Sequence, residues 1–228
     1  FDLRRRTSCV NYHGSAVEHT VQPGLVYISF PTELGTLYSR KQLEDLYAVC
    51  RKNNIPLFID GARLGYALAS DKNDMTMQDI ANNCDMFYIG GTKVGALFGE
   101  AVVITNPAYK KDFRYNIKQR GGMLAKGRLL GIQFEQLFTD DRYMKVSRHC
   151  MDMAKKLTDG FASRGYSFAF EAETNQLFPI LPDKKAEELA KEFAFTPWGR
   201  VDENHQIFRF VTSFMTKPES VDRLIEML

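Results

Sequence analysis

Leu57-Phe58-Ile59-Asp60-Gly61-Ala62-Arg63 is a short apolar run that stops on a carboxylate, and its reading decides the fold. Upstream, Leu25-Val26-Tyr27-Ile28-Ser29-Phe30 is a second apolar run, bounded by Pro23-Gly24 and Pro31 as a buried strand would be. Between the two, Ser39 and Gln42 have capping-box spacing, and Leu43, Leu46, Tyr47 and Cys50 recur at helical intervals. A helix over 40–52 follows. Strand, helix and strand make a βαβ unit. The alternation continues with a helix over 77–82, a strand over 86–89 and another over 101–105, which predicts parallel strands covered by helices. Ligands bind such sheets beyond the carboxyl ends of the strands. Asp60 and Lys93 both fall at such ends.

After Pro107 the pattern is helical, interrupted at Gly121-Gly122 and resumed over 124–158, with Gly160 and Gly165 marking a boundary. Short strands over 168–170, 177–181 and 207–211 then alternate with helices over 184–193 and 218–228. This predicts a second, smaller α+β domain.

The composition is that of an ordinary water-soluble protein: 228 residues, 44% hydrophobic, 25% charged, formal net charge +2. The basic residues are scattered, without a stripe and interleaved aromatics, which argues against nucleic acid as a partner. No apolar run approaches the ~20 residues a membrane span requires, and Phe1-Asp2-Leu3-Arg4-Arg5-Arg6 lacks the apolar core of a secretion signal. The chain reads as cytoplasmic. Cys9, Cys50, Cys84 and Cys150 are far apart and suggest buried thiols, not a zinc site or a dithiol motif.

Two segments carry chemistry. In Phe87-Tyr88-Ile89-Gly90-Gly91-Thr92-Lys93 an apolar strand delivers a lysine after two glycines that let backbone approach closely, and Thr92 offers a hydroxyl to a phosphate oxygen. The competing reading is a loop lysine in water. Asp60, drawn toward the core at a strand end, needs a partner, and either Arg63 in a structural salt bridge or a protonated pyridine ring would serve. Pyridoxal 5'-phosphate works as an electron sink while its ring nitrogen stays protonated, and a carboxylate beside that nitrogen keeps it so. A lysine amine must reach the aldehyde carbon at the other end of the ring. One helical crossover fits between Asp60 and Lys93, so both can face one crevice. Gly90-Gly91-Thr92-Lys93-Val94-Gly95 matches neither G-x-G-x-x-G nor a P-loop, so the nicotinamide and nucleoside-triphosphate readings lose their main support.

From about His19 onward the chain resembles the low-specificity L-threonine aldolases of the β-eliminating lyase family. The resemblance is carried by Asp60-Gly61-Ala62-Arg63, the Lys93 segment, the Gly121-Gly122-Met123 turn and Phe208-Arg209-Phe210-Val211-Thr212. It implies an α/β fold: the C-terminal part of the large domain of a fold type I pyridoxal-phosphate-dependent transferase, with a mostly parallel sheet and a small α+β C-terminal domain. The division implied is a cofactor-binding large domain over 1–145, lacking its N-terminal part, and a small domain over 146–228. By the same resemblance Lys93 is the lysine that forms the internal aldimine, Asp60 the ring-nitrogen partner and Ala62 the small residue against the ring. Arg63 and Arg209 form the pair that grips the substrate carboxylate. Glu33 would lie at the same edge, and His19 is a candidate for the β-hydroxyl proton, whereas His13, His149 and His205 have no such context.

The reaction implied is cleavage of threonine or a related β-hydroxy-α-amino acid to glycine and an aldehyde, in a homodimer or homotetramer. Another pyridoxal-phosphate lyase, an aminotransferase or an inactive fragment are the alternatives. The chain also departs from the family. Leu124 stands where an arginine commonly follows the Gly-Gly-Met turn, with Arg120, Lys126 and Arg128 as possible replacements, and the glycine-rich phosphate loop and ring-stacking histidine are expected upstream of Phe1.

Overall fold

The computed structural model describes residues 23–228. His13 and His19 therefore lie outside the described residues. Strands β1 (Val26–Ser29), β2 (Leu57–Asp60), β3 (Met86–Ile89) and β4 (Ala101–Ile104) form one sheet in that order. β1, β2 and β3 are parallel, with Ser29 opposite Asp60. β4 is antiparallel to β3, contrary to the all-parallel expectation for this run. The physical reason is the connection: residues 90–100 hold only a short 3-10 turn, whereas a parallel return needs a crossover of a dozen or more residues.

Helix α1 (Arg40–Lys52) joins β1 to β2, with the Ser39–Gln42 capping box formed in both directions. α2 (Leu64–Leu68) and α3 (Met77–Asn82) join β2 to β3, and α3 starts on a second capping box, Thr76 with Asp79. One face of the sheet buries Ile28, Leu57, Ile59, Phe87 and Ile89 against Leu43, Cys50, Leu64, Tyr66, Ile80 and Tyr143. The other face carries a row of rings: Tyr27 stacks on Phe58 at 5.3 Å, and Phe58 meets Tyr88 edge-on at 4.9 Å. The period of two along β2 places Asp60 on this same face, two residues past Phe58.

After α4 (Phe113–Gln119), the helical stretch expected over 124–158 is two helices, α5 (Arg128–Phe138) and α6 (Arg142–Ser163). Asp140 and Asp141 between them take left-handed φ of 53° and 58°, which breaks the helical run; aspartate tolerates this region better than most residues. α6 then continues straight through Gly160, where a boundary was expected.

The second sheet has the order β5 (Gln176–Leu177), β8 (His205–Val211), β6 (Ile180–Pro182), with β7 (Thr196–Arg200) also paired to β8. All of these pairs are antiparallel. The strand expected over 177–181 is split, because Pro179 has no N–H to continue a ladder, and the one expected over 168–170 is reduced to a bridge between Phe168 and Pro179. α7 (Asp183–Leu189) and α8 (Pro218–Met227) cover this sheet with the second half of α6. α6 thus gives Tyr143 and Cys150 to the first core and Met153, Leu157 and Phe161 to the second. Among the described residues no helix is long and apolar enough to cross a membrane.

Candidate active site

The carboxyl ends of β1, β2 and β3 bring the candidate residues to one edge. Asp60 ends β2, and its Oδ1 accepts the Ala62 backbone N–H at 3.0 Å while the Tyr27 hydroxyl donates to Oδ2. Tyr27 is held as a donor: its phenol is pushed above the ordinary range by burial and by the neighbouring Asp60 carboxylate. Arg63 is not the partner of Asp60. Its ion pair runs to Glu33 at 3.8 Å, and Arg63 is 11% exposed against 70% for Glu33.

The approach of β2 to β3 here is backbone against backbone. A Cβ on Gly61 would collide with the Tyr88 carbonyl, and one on Gly90 with the Ala62 carbonyl, so both positions require glycine for close contact. Gly90 donates to the Gly61 carbonyl at 2.9 Å, tying the Asp60 turn to the Lys93 turn.

Lys93 lies in the 3-10 turn Thr92–Val94, which closes on Gly95 in the left-handed region. Its carbonyl accepts the hydroxyl of the buried Tyr66, and among the described residues its ammonium makes no hydrogen bond or ion pair. Burial lowers the affinity of the Lys93 amine for its proton, and the positive charge of Arg63 adds to this, with Glu33, Asp60 and Glu100 acting in opposition. The direction favours the neutral amine, although Lys93 is itself exposed. Thr92 does not leave its hydroxyl free; it donates to Glu100 Oε1 at 3.0 Å.

Arg209 comes from the second sheet, on β8, and lies within electrostatic range of Arg63. Burial draws the Arg63 guanidinium below arginine's ordinary range, with Glu33 opposing and Arg209 reinforcing the effect. Arg209 Nε is buried without a partner among the described residues. Two guanidiniums close together, one with an unpaired buried donor, make a site for an anion. The remaining histidines have structural partners: His149 Nε2 contacts the Thr216 carbonyl at 2.9 Å and His205 pairs with Asp202 at 3.0 Å. Glu100 and Tyr27 escaped sequence reasoning. Glu100 does carry a signal, a lone carboxylate directly before an apolar strand at the ligand edge.

These residues fit pyridoxal phosphate at two of its three points of attachment. Asp60 suits the ring nitrogen and the unpaired Lys93 suits the aldehyde carbon, while the Thr92 hydroxyl is engaged by Glu100. No group of His, Cys, Asp and Glu among the described residues could hold a metal ion.

Comparison with known proteins agrees with this chemistry. A family model described as beta-eliminating lyase matches residues 2–183. The "Low specificity L-threonine aldolase" of Pseudomonas aeruginosa is 30% identical over 172 residues, 75% of this chain and 50% of that protein. The chain spans about half the length of the curated relatives it matches. A solved structure of Leishmania major threonine aldolase superposes with a TM-score of 0.93 at 42% identity, covering 99% of this chain and 66% of that one. An aspartate aminotransferase of Thermus thermophilus, 14% identical with a TM-score of 0.64, shares the fold.

Proposed function

Because this chain belongs to the beta-eliminating lyase family, we propose that it carries the reactive half of a pyridoxal-phosphate-dependent aldolase acting on threonine or a related β-hydroxy-α-amino acid. Its products are glycine and an aldehyde. The observation that carries this reading is the meeting of Lys93, Asp60 and Arg63 at one sheet edge, with Arg209 reaching the same place from the second sheet.

Each residue has a separate task. Arg63 and Arg209 bind the substrate carboxylate, and in doing so set which bond at Cα stands perpendicular to the ring plane. The substrate carboxylate takes the place of Glu33 on Arg63 and satisfies the orphaned Arg209 Nε. Asp60 holds the ring nitrogen, its own orientation fixed by Tyr27 and by the Ala62 N–H, and Ala62 offers a small surface to the ring. Lys93 would supply the amine that holds the cofactor at its aldehyde carbon. When bound, pyridoxal phosphate provides the electron sink for the pair released as the Cα–Cβ bond breaks. His19 takes the β-hydroxyl proton in this reading. The same reading places the protein in the cytoplasm as a homodimer or homotetramer, with a large domain over 1–145 and a small one over 146–228.

The test is made on the full-length enzyme incubated with pyridoxal phosphate. The expected result is a visible absorbance band that borohydride abolishes with fixation of the cofactor, and release of acetaldehyde from threonine. Lys93→Ala is expected to lose both band and fixation. Retention of the two in that variant rejects the lysine assignment, and keto-acid production in place of acetaldehyde rejects the aldolase in favour of transamination.

A further inference from the structure

We propose that Glu100 is a positioning residue for Lys93, clamping the turn that presents the amine; this rests on the reading of Lys93 given above. The ladder between β3 and β4 ends at the Ile89–Ala101 pair, so the backbone N–H of Gly91 has no strand partner. Glu100 Oε2 accepts that N–H at 2.7 Å, and Oε1 accepts the Thr92 hydroxyl at 3.0 Å. One carboxylate thus holds both residues that precede Lys93.

The surrounding backbone brings the exposed Glu100 to the turn. A Cβ on Gly91 would lie 2.7 Å from the Gly99 carbonyl oxygen, so the chain at 91 touches the chain at 99 and brings Glu100 alongside. The Gly91 carbonyl in turn accepts the N–H groups of Val94 and Ala96, both at 2.9 Å. On the far side the Tyr66 hydroxyl fixes the Lys93 carbonyl. Residues 91–93 are held at Gly91 N–H, Gly91 C=O, the Thr92 hydroxyl and Lys93 C=O, which leaves the Lys93 side chain as the moving part.

Of these holds only Glu100 bears a charge. Its carboxylate favours the protonated state of the group at the end of Lys93, against burial and Arg63. The role is therefore double: hydrogen bonds that set where the amine starts, and a charge that joins Glu33 and Asp60, as the smallest of the three, in retaining its proton. Glutamine keeps an acceptor and removes the charge, whereas alanine removes both.

The experiment uses the full-length enzyme and two readouts that do not depend on turnover: the rate at which apoenzyme and pyridoxal phosphate develop the visible band, and the pH midpoint at which that band titrates. Glu100→Ala is expected to slow the first by on the order of tenfold, the scale of losing hydrogen bonds to a charged group. Glu100→Gln is expected to stay within about threefold, because a neutral acceptor retains part of that interaction. Both variants are expected to lower the pH midpoint. Thr92→Val, which removes one of the two bonds, is expected to slow band formation less than Glu100→Ala and to leave the midpoint unchanged. Wild-type rates and midpoints in Glu100→Ala and Glu100→Gln overturn the proposal. If Glu100→Ala does not fold, an unchanged midpoint in Glu100→Gln overturns it and a lowered one supports it. A wild-type enzyme that develops no visible band rejects the underlying reading of Lys93 and this role together, an outcome distinct from any difference among variants.

Discussion

Asp85 is fully buried, and its polar contacts fasten the first sheet at the end opposite Asp60 and reach helix α1. Oδ2 accepts the Leu57 N–H at 2.8 Å, Oδ1 accepts the Asn106 side-chain amide at 2.6 Å, and Arg51 approaches at 3.6 Å. Its carbonyl accepts the N–H groups of Thr105 and Asn106 at 3.0 and 3.2 Å. Removing the carboxylate strands buried donors at the starts of β2 and at the end of β4. Asp85→Ala is therefore expected to destabilise the chain by about 2–4 kcal/mol, measured by urea unfolding; a change below ~0.5 kcal/mol rejects this account. At this scale the sequence was most legible for where residues sit: Asp60 directly after Ile59 and Lys93 four residues past Ile89 both reach the edge at the strands' carboxyl ends. It was misleading where the partner comes from another loop. Arg63 sits three residues from Asp60 yet pairs with Glu33, and the contacts of Asp85 and Glu100 depend on how β4 folds back.

Among elements, the contact of α6 with α8 shows how little clearance the second core has. A Cβ on Gly160 would lie 2.5 Å from Ile225 Cγ1 and 2.7 Å from its Cδ1, so glycine lets the two helices approach. Gly160→Ala is expected to cost about 1–3 kcal/mol through overpacking, despite the better helix propensity of alanine, and to accelerate amide exchange in α8 first. Stabilisation by the substitution would show that Ile225 yields freely. The elements read correctly from sequence are those with local punctuation: α1 and α3 start on capping boxes, and β1 to β3 are bounded by proline, asparagine or glycine. β7 was missed because Thr196-Pro197-Trp198-Gly199-Arg200 has neither alternation nor an unbroken set of donors. It exists because β8 offers it a long edge, and proline is tolerated there because β7 has no second neighbour among the described residues.

At the scale of the molecule, the three described cysteines report on opening. Cys50, Cys84 and Cys150 are free and buried, and burial pushes the Cys84 thiol up to about 12 and the Cys150 thiol up to about 11. In a Cys9→Ser background no thiol is expected to react with a neutral-pH alkylating reagent until urea unfolds the chain, whereupon all three react; mass spectrometry counts the adducts. All three lie in the first core, so stepwise labelling would show instead that this core opens in parts. The shared helix argues for concerted opening. α6 is 22 residues long, roughly 33 Å at helical rise, and is anchored in both hydrophobic clusters. It acts as a girder: swinging one sheet against the other means bending an unbroken ladder of helical hydrogen bonds. Arg63, carried by the first sheet, and Arg209, carried by the second, are consequently expected to keep their spacing when an anion binds between them. Under the proposed function, the carboxylate would meet a gauge whose ordering cost is met when the chain folds and not when the substrate arrives.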